Sequence, residues 1–328
     1  MFYEGKKVPA TGGVGVAIPP KISVVIPIFG NEGDLPRLVA ALQSQTLPPT
    51  EILLVDGSPK PLENPPPGTR LIRSKLGSFL GDDYKLGVKS ATGDFLLLMQ
   101  QDCLPENSTA LERMFRQLTP ERVSVVALVT LPEDCFRGYN FWGQVLMARW
   151  LGCVKQGVSN KFDLHRRDVL ARISWMETWP TQLAGEDMDL FMRLSSQGEV
   201  FVSEVEVIHY HHQRATMGAG DVLRRHFRLA ESFGALFRKW GFALRRAPYA
   251  GHWSHHLTKY LYLIVPLLPF APLSVGVVLF AGSNLGNFEA WRVRSWKTPL
   301  LLFFNPCLFI AGLLGTVMGL RHRPLEAR

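Results

Sequence analysis

The sequence predicts an α/β fold with a mostly parallel central sheet, followed by a basic amphipathic region and two C-terminal hydrophobic helices. Three observations support this prediction. Strand-like and helix-like segments alternate over the first third of the chain, arginines interleave with aromatic residues after Gln213, and two long apolar stretches close the sequence. The chain has 328 residues, of which 47% are hydrophobic and 20% charged, so it can bury a large core.

Residues 1–20 are rich in glycine and proline and lack the apolar core of a signal peptide, which predicts a flexible tail. From Lys21 onward, strand and helix patterns alternate in the order "KISVVIPIF", "GNEGDLPRLVAALQSQT", "EILLVDGS", "DDYKLGVKSATG" and "DFLLLMQQD". Parallel sheets show this alternation, and their ligands lie beyond the carboxyl ends of the strands. Asp56 and Asp102 both follow apolar strands, so we expect them at that edge.

Composition divides the rest of the chain into three parts. Residues 21–215 are expected to form one domain, because strand and helix patterns continue throughout. Residues 216–256 are predicted to be a basic amphipathic region, and residues 257–328 a membrane hairpin with a short basic tail. The positive charges of the basic region are Arg224, Arg225, Arg228, Arg238, Lys239, Arg245 and Arg246.

The two apolar stretches run from Leu257 to Gly282 and from Pro299 to Leu320. As helices, both are long enough to cross the roughly 30 Å hydrocarbon core of a bilayer. Three prolines in the first stretch favour a kinked or re-entrant path. If both cross, their basic flanks place the N-terminal domain on the cytoplasmic face. The connecting loop is also basic, so shallow insertion and a buried helical pair in a soluble protein remain alternatives.

The formal net charge of +8 is compatible with a nucleic acid, an anionic membrane surface or a phosphorylated substrate, and the location of the charge argues against nucleic acid. The positive charge adjoins apolar stretches, and no groove-reading motif occurs in the sequence. The cysteines are Cys103, Cys135, Cys153 and Cys307, far apart and without metal-ligand spacing. This pattern predicts neither disulfides nor structural zinc and is typical of a reducing compartment.

Carboxylates and histidines mark the ends of several apolar segments. Asp56 and Asp102 follow strands, Glu186 and Asp187 begin a helical segment, and a histidine cluster follows the last strand. Taken singly, an aspartate after a strand is often a turn or cap residue. Acidic residues at a helix start are also favoured by the helix dipole alone. The order and spacing of the whole set are more specific than any member.

The ordered strings "ISVVIPIFGN", "LLVDGS", "SATGDFLLLMQQD" and "GEDMDLFMRL", with the later histidines, resemble the family 2 glycosyltransferases, which have the GT-A fold. The resemblance covers residues 21–213. It implies that Pro27 and its neighbouring backbone line a nucleoside pocket and that Asp56 accepts a hydrogen bond from the base. It also implies that Asp102 is the last aspartate of an Asp-x-Asp element and binds Mg²⁺ or Mn²⁺ across the donor diphosphate.

The sequence departs from the family pattern at two places. Gln100 and Gln101 occupy the first two positions of the Asp-x-Asp element, so one carboxylate remains to hold metal. The motif "QQDCLP" is similar to the Gln-Asp-Ala-Leu-Pro variant of rhamnosyltransferase-like members. The resemblance implies that both glutamines lie in the donor-binding site. Lys85 stands in "YKLG" where many members have Arg-Asn-x-Gly. It is either a donor contact or a solvated helix charge.

By the same resemblance, Asp187 is the catalytic base and Glu186 orients hydroxyl groups of the acceptor or donor. Asp189 and Arg193, four residues apart on one helical face, are predicted to form a structural pair.

His209 and His211 alternate onto one face of a strand and are candidate metal ligands. Gln213 and Arg214 either close over the donor diphosphate or belong to the interfacial basic region.

These features predict a metal-dependent inverting glycosyltransferase that moves a hexosyl or deoxyhexosyl group from a nucleotide-sugar donor. A membrane-presented acceptor is expected at the cytoplasmic face: a lipid-linked saccharide, a polyprenyl phosphate or a glycolipid of envelope polysaccharide or glycolipid synthesis. A polyprenyl phosphate needs little deprotonation, so Asp187 would then lose its role as base. The alternative is a degenerate nucleotide-sugar-binding scaffold subunit of an envelope assembly complex, which Gln100 and Gln101 motivate. No oligomeric state is predicted.

Overall fold

The computed structural model describes residues 19–30, 34–76, 78–154, 157–173, 184–211, 215–247 and 292–322. Most of the predicted N-terminal tail and the whole first apolar stretch lie outside these ranges, as do His212, Gln213 and Arg214.

The described strands and helices follow one another in an α/β order. They are β1 (Ile22–Ile28), α1 (Leu35–Gln43), β2 (Glu51–Asp56), β3 (Thr69–Arg73), α2 (Leu80–Ser90), β4 (Phe95–Met99), β5 (Cys103–Pro105), α3 (Ala110–Arg116), β6 (Arg122–Leu131), α4 (Glu133–Gly138), α5 (Phe141–Met147), β7 (Gly152–Val154), β8 (Phe162–Arg166), α6 (Arg167–Arg172), α7 (Glu186–Leu194), β9 (Glu199–His209), α8 (Ala219–Trp240) and α9 (Leu301–Arg321). The strands form one sheet in the order β3-β2-β1-β4-β8-β6-β9-β5, and β7 pairs with β6.

The N-terminal half of the sheet is parallel, as the alternating pattern predicts. β1 pairs in parallel with β2 and β4, and β2 pairs in parallel with β3. All seven residues of β1 are buried, because helices cover both faces of the sheet. Val24 and its even-numbered neighbours pack in the cluster that contains Leu38 of α1, whereas Val25 packs in the cluster that contains Tyr84 of α2. The apolar runs therefore read as continuous rather than alternating.

The second half of the sheet differs from the prediction of a mostly parallel sheet. Among the described strands, four pairings are parallel and four are antiparallel. β8 runs antiparallel between β4 and β6, because the chain enters it from the carboxyl edge of β4. β5 runs antiparallel to β9, and this register pairs Cys103 with His209. The sheet is thus mixed, and segments distant in the sequence meet at one edge.

The C-terminal helices α8 and α9 pack against each other and run in the same direction. Glycines allow this close approach: a Cβ atom at Gly315 would overlap the backbone of Phe227, and one at Gly319 would overlap the backbone of Glu231. The His322 imidazole lies 2.8 Å from the Glu231 carboxylate at the end of the pair. The second apolar stretch of the sequence is therefore mostly α9. Within the described ranges, no helix combines the length and the apolar character needed to cross a membrane.

Candidate active site

Asp56 ends β2 and lies completely buried beneath the loop that follows. Its carboxylate accepts hydrogen bonds from the backbone N–H groups of Ser58 and Leu62, both at 2.9 Å, and from Arg73 Nη1 at 2.7 Å. Burial opposes ionisation, but the hydrogen bonds from Ser58 and Leu62 and the Arg73 charge outweigh it and lower the pKa of Asp56. The Arg73 side chain is 37% exposed, so the guanidinium is the part of this ion pair that reaches the surface.

Gln101 connects the loop after β4 to the loop after β1. Its side-chain oxygen accepts from the Phe29 N–H at 3.0 Å, and its side-chain nitrogen donates to the Phe29 carbonyl at 3.1 Å. The Phe29 ring itself is 52% exposed at the carboxyl edge of the sheet. Pro27 is buried within β1, and Gln100 is partly buried. The Gln101 amide therefore fixes the backbone of Phe29 to the loop that carries Asp102.

Asp102 and His209 come together where β5 pairs with β9. The Asp102 carboxylate lies 3.1 Å from His209 Nε2, and the Asp102 carbonyl accepts from the Tyr210 N–H at 3.1 Å. The His211 ring contacts that of His209, with 3.4 Å between ring centroids and an angle of 42° between the ring planes. Burial opposes ionisation of Asp102, but the hydrogen bond and charge of His209 lower its pKa.

The ligand atoms of Asp102, Cys103 and His209 all lie within 4.8 Å of one another, close enough to hold a metal ion. The Cys103 thiol is buried, and burial raises its pKa well above the usual range. A carboxylate and an imidazole are therefore the ready ligands of this group. This pair fits a divalent cation that accepts both oxygen and nitrogen, as Mn²⁺ does.

A cavity of about 170 Å³ opens beside Asp102. Arg37 and Leu38 of α1 contribute to its wall, together with Gln101 and Tyr210. The Arg37 guanidinium lies 6.0 Å from the centre of the Tyr210 ring. The cavity thus brings a positive charge and the Asp102 carboxylate to one opening.

Glu186 and Asp187 begin α7, directly after Gly185. Gly185 has a φ of +93°, a left-handed conformation that favours glycine and turns the chain sharply into the helix. The Asp187 carboxylate accepts from the Met188 N–H at 2.8 Å. Burial raises the pKa of both acids, and the Asp187 charge raises that of Glu186 further. Raised pKa values suit side chains that exchange protons near neutral pH.

Lys161 links these carboxylates electrostatically. Its positive charge acts to lower the pKa values of Asp102, Glu186 and Asp187. Tyr84, buried between strands and helix, is influenced by the charges of Asp102 and Glu186 in turn. The two acidic groups, although more than eighty residues apart in the chain, therefore share one electrostatic environment at the carboxyl edge of the sheet.

Residues 23–173 match the family model described as Glycosyl transferase family 2. The match covers slightly less than half of the chain. The O-antigen chain rhamnosyltransferase RfbN of Salmonella typhimurium (strain LT2) is 22% identical over 213 residues, which cover 58% of this chain and 67% of that protein.

Among solved structures, the mannosyltransferase PcManGT from Pyrobaculum calidifontis, in complex with GDP-Man and Mn²⁺, has 16% sequence identity and a TM-score of 0.54. The alignment covers 92% of this chain and 88% of that chain. A likeness at this identity concerns the fold alone, and it supports the GT-A-like α/β architecture with a mixed sheet.

Within the described residues, the structure brings Asp102 and His209 into contact, and the positive charge of Lys161 acts on Asp102, Glu186 and Asp187. Asp56 forms an ion pair with Arg73 and does not belong to the Asp102, Cys103 and His209 group that could hold a metal. Lys85 lies exposed on α2, one residue after buried Tyr84. Gln213 and Arg214 fall outside the described residues, so their predicted roles stay predictions.

Sequence reasoning missed Lys161, Arg73 and Phe29. Lys161 precedes β8, and it lies at the carboxyl edge of β4 because β8 runs antiparallel to β4. Arg73 ends β3, where the parallel pairing of Asp56 with Arg73 makes the ion pair possible. The sequence signal for Lys161 and Arg73 is that each is a charged residue at the end of a strand. This signal indicates a place in the site only when the pairing of that strand is known.

Proposed function

We propose that the protein is an inverting glycosyltransferase that transfers a hexosyl or deoxyhexosyl group from a nucleotide-sugar. The observation that carries this proposal is the Asp102–His209 contact at the carboxyl edge of the sheet, with Lys161 acting on Asp102, Glu186 and Asp187 alike. The first part of this sheet lies in the residues that match the family 2 model. The name of the relative RfbN, an O-antigen chain rhamnosyltransferase, supports a deoxyhexosyl donor and a product in polysaccharide synthesis.

Asp102 and His209 would hold a divalent cation, which would offset the charge that develops on the leaving diphosphate. The imidazole favours Mn²⁺ over Mg²⁺, because Mg²⁺ prefers a shell of oxygen ligands. PcManGT is described as a complex with Mn²⁺, which agrees with this choice. The exposed Phe29 would offer a flat apolar ring to the nucleoside, and Gln101 holds the backbone of that residue.

Asp187 would take the proton from the acceptor hydroxyl as that oxygen attacks the anomeric carbon. Its raised pKa suits this role, because a base is most effective when its pKa lies near the working pH. Glu186, whose pKa is also raised, would carry a proton for part of the time and could then donate a hydrogen bond to a sugar hydroxyl. One displacement then inverts the anomeric centre.

The acceptor is proposed to be lipid-linked and presented at the cytoplasmic face of a membrane. The support is an apolar surface on α9, whose exposed residues include Phe303, Ile310, Leu313, Leu314, Val317, Met318 and Leu320. Exposed Lys297 and the 84% exposed Trp296 precede this helix, and exposed Arg321 ends it. An apolar helix face flanked by basic and aromatic residues suits an anionic bilayer surface, where aromatic rings lie at the headgroup level. We propose association with that surface.

The test is transfer by the purified full chain from a panel of UDP-, GDP- and dTDP-linked sugars to a membrane lipid extract, with and without EDTA. Mass analysis of the lipid fraction identifies the product. We expect Asp102→Asn and Asp187→Asn to lose transfer, and Asp168→Asn, on the exposed face of α6, to retain it. Consumption of no donor under any metal condition would refute the enzyme proposal.

A second candidate function is nucleotide-sugar binding without turnover, as in a scaffold subunit. It is favoured by Gln100 and Gln101, which leave Asp102 as the one carboxylate of the motif, and by the commitment of the Gln101 amide to the Phe29 backbone. If the protein is a scaffold, the unaltered chain and the Asp187→Asn variant should bind nucleoside diphosphate equally well, and neither should form product.

A further inference from the structure

Lys161 leaves the sheet beside the Gln100–Asp102 segment. The antiparallel register pairs Phe162 of β8 with Met99, the last residue of β4. Lys161 precedes Phe162, and Gln100 follows Met99, so the two segments lie next to each other at the carboxyl edge. The Lys161 side chain is partly buried, and its ammonium lies 3.5 Å from the Ser159 carbonyl.

The turn that carries Lys161 is held by buried groups. The Asp163 carboxylate, completely buried, accepts from the backbone N–H groups of Ser159 and Asn160, both at 2.6 Å. The Tyr84 hydroxyl donates to the Asn160 carbonyl at 2.7 Å. Asn160 has a φ of +54°, a left-handed conformation that asparagine tolerates better than most residues. These contacts determine where the Lys161 backbone stands relative to β4.

The side-chain amide of Asn160 offers a hydrogen-bond donor and an acceptor next to Lys161 in the chain. Its side chain is completely buried, yet within the described part of the chain neither polar atom of its amide has a hydrogen-bond partner. Buried amides without partners are rare, because each unmade hydrogen bond costs free energy. A polar ligand bound at this turn would supply the missing partner.

Negative side chains outnumber positive ones among Lys161 and the acids on which its charge acts, which opposes the binding of an anionic diphosphate. Asp102, Glu186 and Asp187 contribute carboxylates, and a metal held by Asp102 and a neutral imidazole has a single anionic protein ligand. Affinity for the metal is correspondingly limited, because carboxylates provide most of the attraction for a hard divalent cation. The positive charge of Lys161 acts on all three acids.

We propose that the Lys161 ammonium binds the donor diphosphate and supplies positive charge that the single-carboxylate metal site provides incompletely. This inference rests on the proposed function, since it names a donor-binding residue of that same site. Lys161 and the cation would share the diphosphate oxygens. Diphosphate binding should then persist, although weakened, when the metal is removed.

The test is calorimetric titration of the full chain with UDP, GDP and dTDP, in EDTA and in excess Mn²⁺. With the diphosphate that binds best, we expect Lys161→Met to weaken binding roughly 10- to 100-fold in EDTA, the range for a hydrogen bond between charged groups. The loss should be smaller in Mn²⁺. Lys161→Arg should restore most of the affinity, and Lys89→Met, at the exposed end of α2, should change nothing.

Unchanged binding by Lys161→Met in EDTA, with an unchanged melting temperature, would overturn the proposal. An equal loss with and without Mn²⁺ would overturn the idea that the lysine compensates for the metal site. If Lys161→Met does not fold, loss of affinity in Lys161→Arg beyond tenfold contradicts a role carried by charge. Normal Lys161 behaviour without any sugar transfer would refute the proposed enzyme function and leave the lysine assignment standing.

Discussion

Asp189 joins the helix that carries Asp187 to the C-terminal part of the chain. Its carboxylate accepts from Arg193 Nε at 2.9 Å on its own helix, and from Lys239 Nζ at 2.7 Å and Trp240 Nε1 at 2.8 Å on α8. The carboxylate is 1% exposed. The predicted structural pair with Arg193 is therefore present, and it is part of a buried contact between α7 and α8.

We expect Asp189→Ala to lower the free energy of unfolding by about 3–5 kcal/mol, because Arg193 and Lys239 would keep their buried positions without this carboxylate. A loss of that size corresponds to a fall in melting temperature on the order of 10 °C. Asp189→Asn should cost less, since the amide oxygen can still accept from Trp240. Urea denaturation and thermal melting measure both changes, and the denaturant slope should stay constant.

The chain offers a matched control on its surface. Asp168 and Arg172 form the same i,i+4 pair on α6, at 2.8 Å, but their side chains are 63% and 58% exposed. An exposed pair of this kind contributes about 0.5 kcal/mol or less, so Asp168→Ala should leave the melting temperature nearly unchanged. Equal effects of Asp189→Ala and Asp168→Ala would refute the reasoning, because burial would then not determine the contribution of the pair.

Four further predictions follow from individual contacts. His209→Ala should weaken Mn²⁺ binding about 10-fold or more, measured by metal titration, whereas intact binding would exclude the imidazole as a ligand. Burial raises the pKa of Asp163 to about 7 from 3.8, so the folded state keeps a proton that the unfolded state releases, and stability falls as pH rises between those values. Asp163→Asn should reduce the dependence of the free energy of unfolding on pH, by up to about 1.4 kcal/mol per pH unit. Urea titrations at several pH values measure this dependence, and the same dependence in the variant would contradict the raised pKa. Leu314→Glu should reduce co-sedimentation with anionic lipid vesicles at unchanged melting temperature, and full retention would argue against α9 as the contact surface. Gly319→Leu should separate α8 from α9 and lower the melting temperature by several degrees, unlike Gly220→Ala, where a Cβ atom meets open space.

The first half of the fold could be predicted from the sequence because its signals are local. β1, β2 and β4 are continuous apolar runs, and the leucines of α1 recur at helical spacing. Asp102 could be placed at the carboxyl edge for the same reason. The antiparallel insertion of β8 between β4 and β6 depends on pairings between residues far apart in the chain, and no local pattern encodes them.

The histidines show how far strand periodicity reaches. Alternation predicted that His209 and His211 share a face, and their rings are in contact at a tilt of 42°. β9 ends at His209, however, and His211 has a φ of +48°, outside the strand region. The contact between the rings therefore depends on the turn after the strand as well as on alternation. The contact of His209 with Asp102 depends in addition on the β5–β9 register.

Gln101 explains part of the departure from the Asp-x-Asp pattern. Its amide accepts from the Phe29 N–H and donates to the Phe29 carbonyl, so it satisfies both backbone groups at once. A carboxylate in this place could accept from the N–H but could not donate to the carbonyl, so the second hydrogen bond would be lost. Gln101 stands at the middle position of the element, so its amide adds a connection between the loops after β1 and β4 without replacing the missing acid. That acid is missing at the first position, where Gln100 stands, and Asp102 is left as the one carboxylate of the element. The diphosphate-binding role proposed for Lys161 would add positive charge to a site of this kind.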